Sequence, residues 1–206
     1  MAFTYFFRDL QTLELVAEHL VPFVSGRSSV RIWDAGCASG EEPYTMAIIL
    51  AEKMGRFAYK NVKFFATDID ISDQFEKIIK NGIYPYDLLQ RIPKELFEKY
   101  FQPVDSAKSG EKSFQIDQII RDRMNFIRSD LLKLDAPSDE FSLVICKNVL
   151  LHFQYNERIE VIKMFHKSLS AGGFLAMEHT QKMPDECAHL FEPVVSNAQL
   201  YKKKQD

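Results

Sequence analysis

The amino-acid sequence predicts an α/β fold in which a mostly parallel β-sheet carries helices on both faces. Five short apolar runs alternate with segments whose apolar residues recur at helical spacing, and this alternation is typical of a parallel sheet covered on both sides. A second observation is the glycine turn GCASG between the first apolar run and the helical segment after it. The 206 residues contain no internal repeat and no clear linker, so we expect a single domain spanning residues 1–206.

The periodicity of the apolar residues places the individual elements. In the first helix Leu13, Val16 and Leu20 fall on one face, and the pair Asn81-Gly82 ends the third helix. We expect helices at residues 9–24, 42–54, 73–81 and 156–169, and a further helix that begins at Pro93. We expect the strands of the main sheet at residues 30–35, 61–68, 124–130, 141–148 and 173–178.

Two segments interrupt this alternation. Residues 101–117, FQPVDSAKSGEKSFQID, form two short extended runs around a polar Ser-Gly loop, which predicts a small inserted β-subdomain at about residues 100–120. The tail HLFEPVVSNAQLYKK predicts a second hairpin with Asn197 in its turn. We expect that C-terminal hairpin to pair antiparallel at the edge of the sheet.

The composition excludes several classes of function. The net charge is −3 with an isoelectric point of about 6.0, so no basic field favours nucleic acid or an anionic membrane. No stretch approaches the ~18 apolar residues of a membrane span, and no signal peptide is visible. Three cysteines without a C-x-x-C pair favour a cytoplasmic location. The five histidines lack metal-ligand spacing, so we expect no metal site.

Small and acidic residues follow the first predicted strand, at the edge where open parallel sheets bind ligands. They are Gly36 and Gly40, then Glu41 and Glu42 at the start of a helix. Glycines there let a nucleotide-like ligand approach the backbone, whereas two acids would repel a pyrophosphate. S-adenosylmethionine fits this turn because it carries a sulfonium, an ammonium and a ribose diol but no phosphate. Either acid alone is also explained by the helix dipole.

The ends of the other strands supply further polar side chains. Asp68 ends the second strand, where an acid binds the ribose in dinucleotide folds, although it is also placed to cap the following turn. Asp130 ends the third strand and could accept a hydrogen bond from an adenine amino group, beside the backbone of Leu131. Asn148 follows the fourth strand and is alternatively a plain turn residue. Four polar strand ends together favour a binding site.

The motifs along the chain resemble those of the CheR-type chemotaxis receptor methyltransferases, which esterify receptor glutamates with S-adenosylmethionine. The segment TYFFRD resembles the family's Thr-x-Phe-Phe-Arg motif, and DAGCASGEEPYT is its most specific signature. The segments ATDID, NGIY, CKNVLLHF and LSAGGFLAMEHT follow in the family's order, and LFEPV with LYKK resembles its closing hairpin. The resemblance implies a Rossmann-like class I methyltransferase fold.

The resemblance also implies roles for individual residues. Thr4 and Arg8 are expected at the amino-acid end of S-adenosylmethionine, one of Glu41 and Glu42 faces this ligand, and Asn148 with Val149 closes the pocket. Asp68 holds the ribose, while Asp130 and Leu131 face the adenine. S-adenosylhomocysteine is the expected product. The inserted hairpin matches a subdomain that grips a receptor's C-terminal peptide in some members.

The sequence departs from the family where the substrate is expected. It has no counterpart of the helical N-terminal domain that helps to dock the receptor, Lys147 replaces an arginine, and His152 replaces a tyrosine that faces the transfer site. Arg8 and His152 are the catalytic candidates: Arg8 could steer the substrate carboxylate, and His152 could position it or act weakly as a base, unless it is a packed histidine. We therefore keep three hypotheses: a methyltransferase for glutamates in the cytoplasmic region of a chemoreceptor or a related signalling protein, a methyltransferase for another substrate, and a non-catalytic S-adenosylmethionine-binding module.

Overall fold

The computed structural model describes residues 4–105 and 112–204, and the statements below concern these residues. The α-helices are α1 (Leu10–Val24), α2 (Glu41–Tyr59), α3 (Phe75–Asn81), α4 (Lys94–Tyr100), α5 (Gln118–Arg121), α6 (Tyr155–Ser168) and α7 (Asp185–Ala188). The strands are β1 (Val30–Ala35), β2 (Val62–Asp68), β3 (Ile83–Pro85), β4 (Phe101–Val104), β5 (Ser113–Ile116), β6 (Met124–Arg128), β7 (Phe141–Cys146), β8 (Leu169–Met177), β9 (Phe191–Pro193) and β10 (Leu200–Lys203).

Seven of the described strands form the main sheet, in the order β6-β2-β1-β7-β8-β10-β9. The pairs from β6 to β8 are parallel, whereas β10 is antiparallel to both β8 and β9. The predicted parallel sheet and the antiparallel C-terminal hairpin are therefore confirmed. The strand order reverses at β1, which lies between β2 and β7, and ligands of open α/β sheets bind outside such a switch point.

Hydrophobic clusters cover both faces of this sheet, because successive side chains of a strand point to opposite sides. Ile32 of β1 belongs to the cluster that packs against α1 and α2. Its neighbour Trp33 belongs to the other cluster, where its ring centroid lies 5.1 Å from that of Phe165 in α6. The indole N–H of Trp33 donates to Thr67 Oγ1 at 2.8 Å, so the buried ring keeps its polar group satisfied.

The small sheet has one more strand than the sequence predicts. The two expected strands β4 and β5 pair antiparallel, and the short strand β3 pairs with the other side of β5. This gives the order β3-β5-β4. The polar Ser-Gly loop that the sequence predicts between β4 and β5 falls on residues 106–111, which lie outside the described residues.

Two boundaries of the main elements differ from the prediction by more than two residues. Helix α2 extends past residue 54 to Tyr59, across a break at Gly55, whose φ of 75° is not helical. Strand β8 begins at Leu169 and not at residue 173, with an irregular register against β7. Within the described segments, no helix has both the length and the apolar character needed to cross a bilayer.

Candidate active site

A glycine turn joins β1 to α2 and is fixed to the neighbouring strand. The backbone N–H groups of Gly36 and Cys37 both donate to the carbonyl of Thr67, at 2.7 and 3.0 Å. Gly36 has a φ of 99°, and a Cβ added there would lie 2.2 Å from Cγ2 of Val149. The turn after β1 and the loop after β7 therefore approach each other so closely that only glycine fits at position 36.

Asp68 lies at the end of β2 with both carboxylate oxygens held by backbone groups. Oδ2 accepts from the N–H of Ala38, and Oδ1 accepts from the N–H of Asp70, each at 3.0 Å. A carboxylate has about four acceptor sites, so these two bonds orient the group and leave it able to accept from a ligand. Capping of the following helix belongs to Asp70, whose carboxylate accepts from the N–H groups of Gln74 and Phe75 at 3.1 and 3.0 Å.

The two acids at the start of α2 point to different places. Glu41 is 2% exposed, and both its carboxylate oxygens accept from the hydroxyl of Ser39 at 2.8 Å. Burial raises the pKa of Glu41. Glu42 instead lines a cleft at the carboxyl ends of the strands, and its Oε2 lies 3.4 Å from the Nζ of Lys147. Of the two acids that the sequence could not distinguish, Glu42 is the one that faces the cleft.

Two polar pairs connect the N-terminal segment to the end of β7. The Nζ of Lys147 lies 2.8 Å from Oδ2 of Asp9, and the guanidinium of Arg8 donates to Oδ1 of Asn148 at 3.2 Å. Asn148 has a left-handed φ of 60°, and its N–H donates to Glu178 at 3.0 Å. Asn148 is thus more than the plain turn residue considered above, because it holds Arg8 at the cleft.

The cleft has a volume of about 520 Å³ and brings together almost all the residues singled out in the sequence. Its lining includes residues from the N-terminal segment and from the ends of four neighbouring strands. Those expected from the sequence are Thr4, Arg8, Gly36, Glu42, Asp68, Asp130, Leu131, Asn148, Val149 and His152. Glu41 is absent from this lining.

The wall near the predicted adenine position is formed by the segment after β6. Asp130 uses Oδ1 to accept from the N–H of Leu132 at 3.0 Å, which fixes its carboxylate at the cleft and leaves its second oxygen available. Leu131 is buried beside it. Ile69, which sequence reasoning did not single out, also lines the cleft and is 47% exposed. The site therefore combines carboxylates with apolar surface, as ligand pockets usually do.

His152 lies in a short 3-10 turn, Leu150–His152, at the mouth of the cleft. Its side chain is exposed, so it is not the packed histidine that was the alternative interpretation. Leu151 beside it also lines the cleft and is 40% exposed. The mouth is therefore partly apolar next to the imidazole.

Comparison with known families agrees with this geometry. Residues 2–199 match the family described as CheR methyltransferase, SAM binding domain. The chain belongs to this family. S-adenosylmethionine, the cofactor expected from the sequence, is therefore confirmed, as is the class I methyltransferase fold.

Relatives of this CheR domain carry chemotaxis names. A chemotaxis protein methyltransferase of Borreliella burgdorferi is 35% identical over 187 residues, which cover 86% of this chain and 63% of that protein. A probable chemotaxis protein methyltransferase of Rhizobium etli is 26% identical over 206 residues, which cover 98% of this chain and 75% of that protein. The chain thus spans less than two thirds of the Borreliella relative.

A solved structure extends the comparison beyond the CheR family. The CMeT domain of the citrinin polyketide synthase superposes with a TM-score of 0.51 at 18% identity, over 85% of this chain and 36% of that chain. At this level of identity the similarity concerns the fold alone.

Proposed function

We propose that this chain is the catalytic domain of an S-adenosylmethionine-dependent protein-glutamate O-methyltransferase, which acts on the cytoplasmic region of a chemotaxis receptor or a related signalling protein. The observation that carries the proposal is the cleft at the switch point, where Glu42, Asp68 and Arg8 line one cavity. Relatives named as chemotaxis protein methyltransferases support the substrate class.

The residues of the cleft fit the three parts of S-adenosylmethionine. Asp68 has a free acceptor site on each oxygen and suits the two ribose hydroxyls, because charged acceptors make strong hydrogen bonds. Glu42 suits the ammonium group, and Arg8 with Thr4 suits the carboxylate of the same amino-acid end. Asp130 has an oxygen available for an adenine amino group, next to the apolar surface of Leu131.

The proposed reaction needs little acid–base catalysis from the protein. S-adenosylmethionine supplies a methyl group on a sulfonium, and its transfer to a carboxylate oxygen gives a methyl ester and S-adenosylhomocysteine without a proton transfer. A substrate glutamate is already ionised at neutral pH, because the pKa of free glutamate is about 4.3. Orientation and exclusion of water are then the main contributions of the site. His152 at the mouth and Arg8 in the wall are our candidates to contact the substrate carboxylate.

The small sheet is our candidate for a second contact with the substrate protein. Strands β3 and β4 are the two edges of that sheet among the described residues, and an exposed strand edge can bind an extended peptide by adding a strand. We propose that one of these two edge strands binds a peptide of the receptor. A cytoplasmic location belongs to the same proposal, and Cys37, Cys146 and Cys187 are all free thiols in agreement with it.

A methyl-transfer assay tests the proposed reaction. The protein is incubated with methyl-labelled S-adenosylmethionine and a membrane-containing lysate of its own organism, and the products are treated with mild alkali. Volatile labelled methanol is expected, because alkali hydrolyses methyl esters. Label that stays on protein or on a small molecule would contradict carboxyl transfer and favour a different nucleophile. Binding without any transfer would contradict catalysis by this chain and favour the non-catalytic module. The Asp68→Ala variant serves as the control with weakened cofactor binding.

A further inference from the structure

Lys147 is a buried cation in the wall of the cleft, between two carboxylates from distant parts of the chain. Its side chain is 2% exposed, and its Nζ lies 2.8 Å from Asp9 Oδ2 and 3.4 Å from Glu42 Oε2. Asp9 precedes α1, and Glu42 lies in the first turn of α2. One ammonium therefore joins the N-terminal segment, the first turn of α2 and the end of β7.

The charges of this cluster leave one negative charge at the cleft. Lys147 neutralises one of its two carboxylate partners, and Glu42 is the partner that lines the cleft. With a side chain that is 2% exposed, Lys147 has almost no surface of its own to offer a ligand, whereas Glu42 keeps 15% of its side chain exposed. The cluster therefore presents a carboxylate, and not an ammonium, to whatever binds there.

We propose that Lys147 is a positioning residue, whose ammonium group holds the Glu42 carboxylate in place at the cleft so that Glu42 can bind a cationic amino group of the ligand. This inference rests on the proposed function, since the amino group is that of the amino-acid end of S-adenosylmethionine. Lys147 also lines the cleft, but only 2% of its side chain is exposed, so its proposed action is through Glu42 and not by contact with the ligand.

Because Lys147 lies beside Glu42, removing its charge should change how ligand binding depends on pH. Burial raises the pKa of Glu42, and the charge of Lys147 opposes that effect. Burial alone would lower the pKa of Lys147, but its two carboxylate partners raise it, so Lys147 stays charged. Removing the ammonium leaves Glu42 with burial and a like charge on Asp9, and its pKa rises further. Glu42 would then be protonated, and unable to pair with an ammonium, up to a higher pH.

Other groups around Glu42 come from three elements and act in both directions. Arg8 in the N-terminal segment favours the ionised form of Glu42, whereas Asp9 opposes it. Asp34 at the end of β1 is buried and interacts with both Glu42 and Lys147, and burial raises its pKa well above the usual range. Cys146 on β7 is also buried, with a raised thiol pKa. Lys147 and Arg8 are thus the cations that favour a charged Glu42.

The experiment measures the affinity of S-adenosylhomocysteine, which binds without turnover, by calorimetry at pH 6.5 and pH 8.5. For Lys147→Met, affinity relative to wild type at the same pH should fall at least tenfold at pH 6.5, and the loss should be at least threefold smaller at pH 8.5. Titration of the ligand amino group affects both proteins equally and cancels in this ratio. Lys147→Arg keeps the charge and should stay within threefold of wild type at both pH values. Lys60→Met is the matched control, because Lys60 is an exposed lysine close to the amino end of β2, away from the cleft.

The variant Asp9→Asn tests whether Lys147 acts by positioning Glu42 or only by holding the three charged side chains together. It removes a carboxylate that opposes ionisation of Glu42, so binding should stay within threefold of wild type and show no added pH dependence. The inference is overturned if Lys147→Met loses the same factor at both pH values, or if Asp9→Asn loses as much affinity as Lys147→Met. If Lys147→Met does not fold, Lys147→Gln and Asp9→Asn provide the comparison. Failure of the wild-type protein to bind S-adenosylhomocysteine would instead contradict the proposed function.

Discussion

Glu41 and Glu42 are adjacent acids whose surroundings give them different roles. Successive residues of an α-helix are rotated by about 100°, so one carboxylate turns inward to the Ser39 hydroxyl and the other faces the cleft. Asp68 and Asp70 differ in the same way, since one is oriented by two backbone donors and the other caps a helix. Position relative to the strand end, and not residue type, decides which carboxylates are available to a ligand.

Asp68 is the residue whose loss should affect cofactor binding most directly. Asp68→Ala is expected to weaken the binding of S-adenosylhomocysteine more than tenfold in calorimetry, because it removes the two charge-assisted hydrogen bonds that we propose between Asp68 and the ribose. Asp122→Ala removes an exposed carboxylate close to the amino end of β6, away from the cleft. It should leave the affinity unchanged. Unchanged affinity in Asp68→Ala would exclude the ribose assignment.

His152 should affect transfer and not cofactor binding, since it lies at the mouth of the cleft. In His152→Ala, the affinity for S-adenosylhomocysteine should stay within twofold of wild type, while the rate of methyl-ester formation falls at least fivefold. The loss reflects poorer positioning of the substrate carboxylate. Rates are compared under single-turnover conditions, and equal rates in variant and wild type would remove His152 from the substrate site.

The sequence could identify most residues of the cleft because several of them follow strands that are strongly apolar, whereas Thr4, Arg8 and Val149 were expected from the resemblance to the CheR-type methyltransferases. It could not choose between Glu41 and Glu42, since the rotation of α2 about its axis depends on packing against the rest of the chain. It also could not show that Lys147 meets Asp9, because nothing local to either residue indicates a contact across 138 positions (147 − 9). Contacts of that kind arise from the order of the strands.

At the scale of elements, the cap of α3 should make a measurable contribution to the free energy of unfolding. The carboxylate of Asp70 accepts from backbone N–H groups of the first turn, which would otherwise have no partner in the helix. Asp70→Ala should lower the free energy of unfolding by about 0.5–2 kcal/mol, measured by urea denaturation. Ser72→Ala removes only one hydroxyl donor to Asp70 and should have a smaller effect; equal effects would contradict the role of the cap.

Strand β3 shows why one element escaped prediction. It contains three residues, Ile83–Pro85, too few for a period of two to be recognised, and a proline is unfavourable in a central strand. Its place at the edge of the small sheet tolerates that proline, and its partner β5 lies about thirty residues further along the chain. Pairing with β5, and not local preference, makes this segment a strand.

At the scale of the whole molecule, the two hydrophobic clusters should unfold together. Leu20 of α1 is fully buried on one face of the sheet, and Leu20→Ala should lower the free energy of unfolding by about 2–5 kcal/mol. Trp33 is the single tryptophan and lies on the other face, so its fluorescence reports on the second cluster. Fluorescence and circular dichroism should give one coincident urea transition, and Glu18→Ala on the exposed side of α1 should change stability by less than about 0.5 kcal/mol. Two separate transitions would show that the faces unfold independently.

The pairing of β1 with β7 has a thermodynamic consequence for the folded chain. It joins Ile32 to Leu143, 111 positions apart (143 − 32), and the turns that follow these two strands both line the cleft. A ligand bound there contacts both halves of the chain, so it can bind only the fully assembled sheet. At a concentration one hundred times its Kd, S-adenosylhomocysteine should add about 2.7 kcal/mol to the stability and raise the melting temperature by roughly 5–11 °C. A melting temperature independent of ligand concentration would contradict this coupling. The cofactor would thus act as a bond between the two halves of the protein as well as a methyl donor.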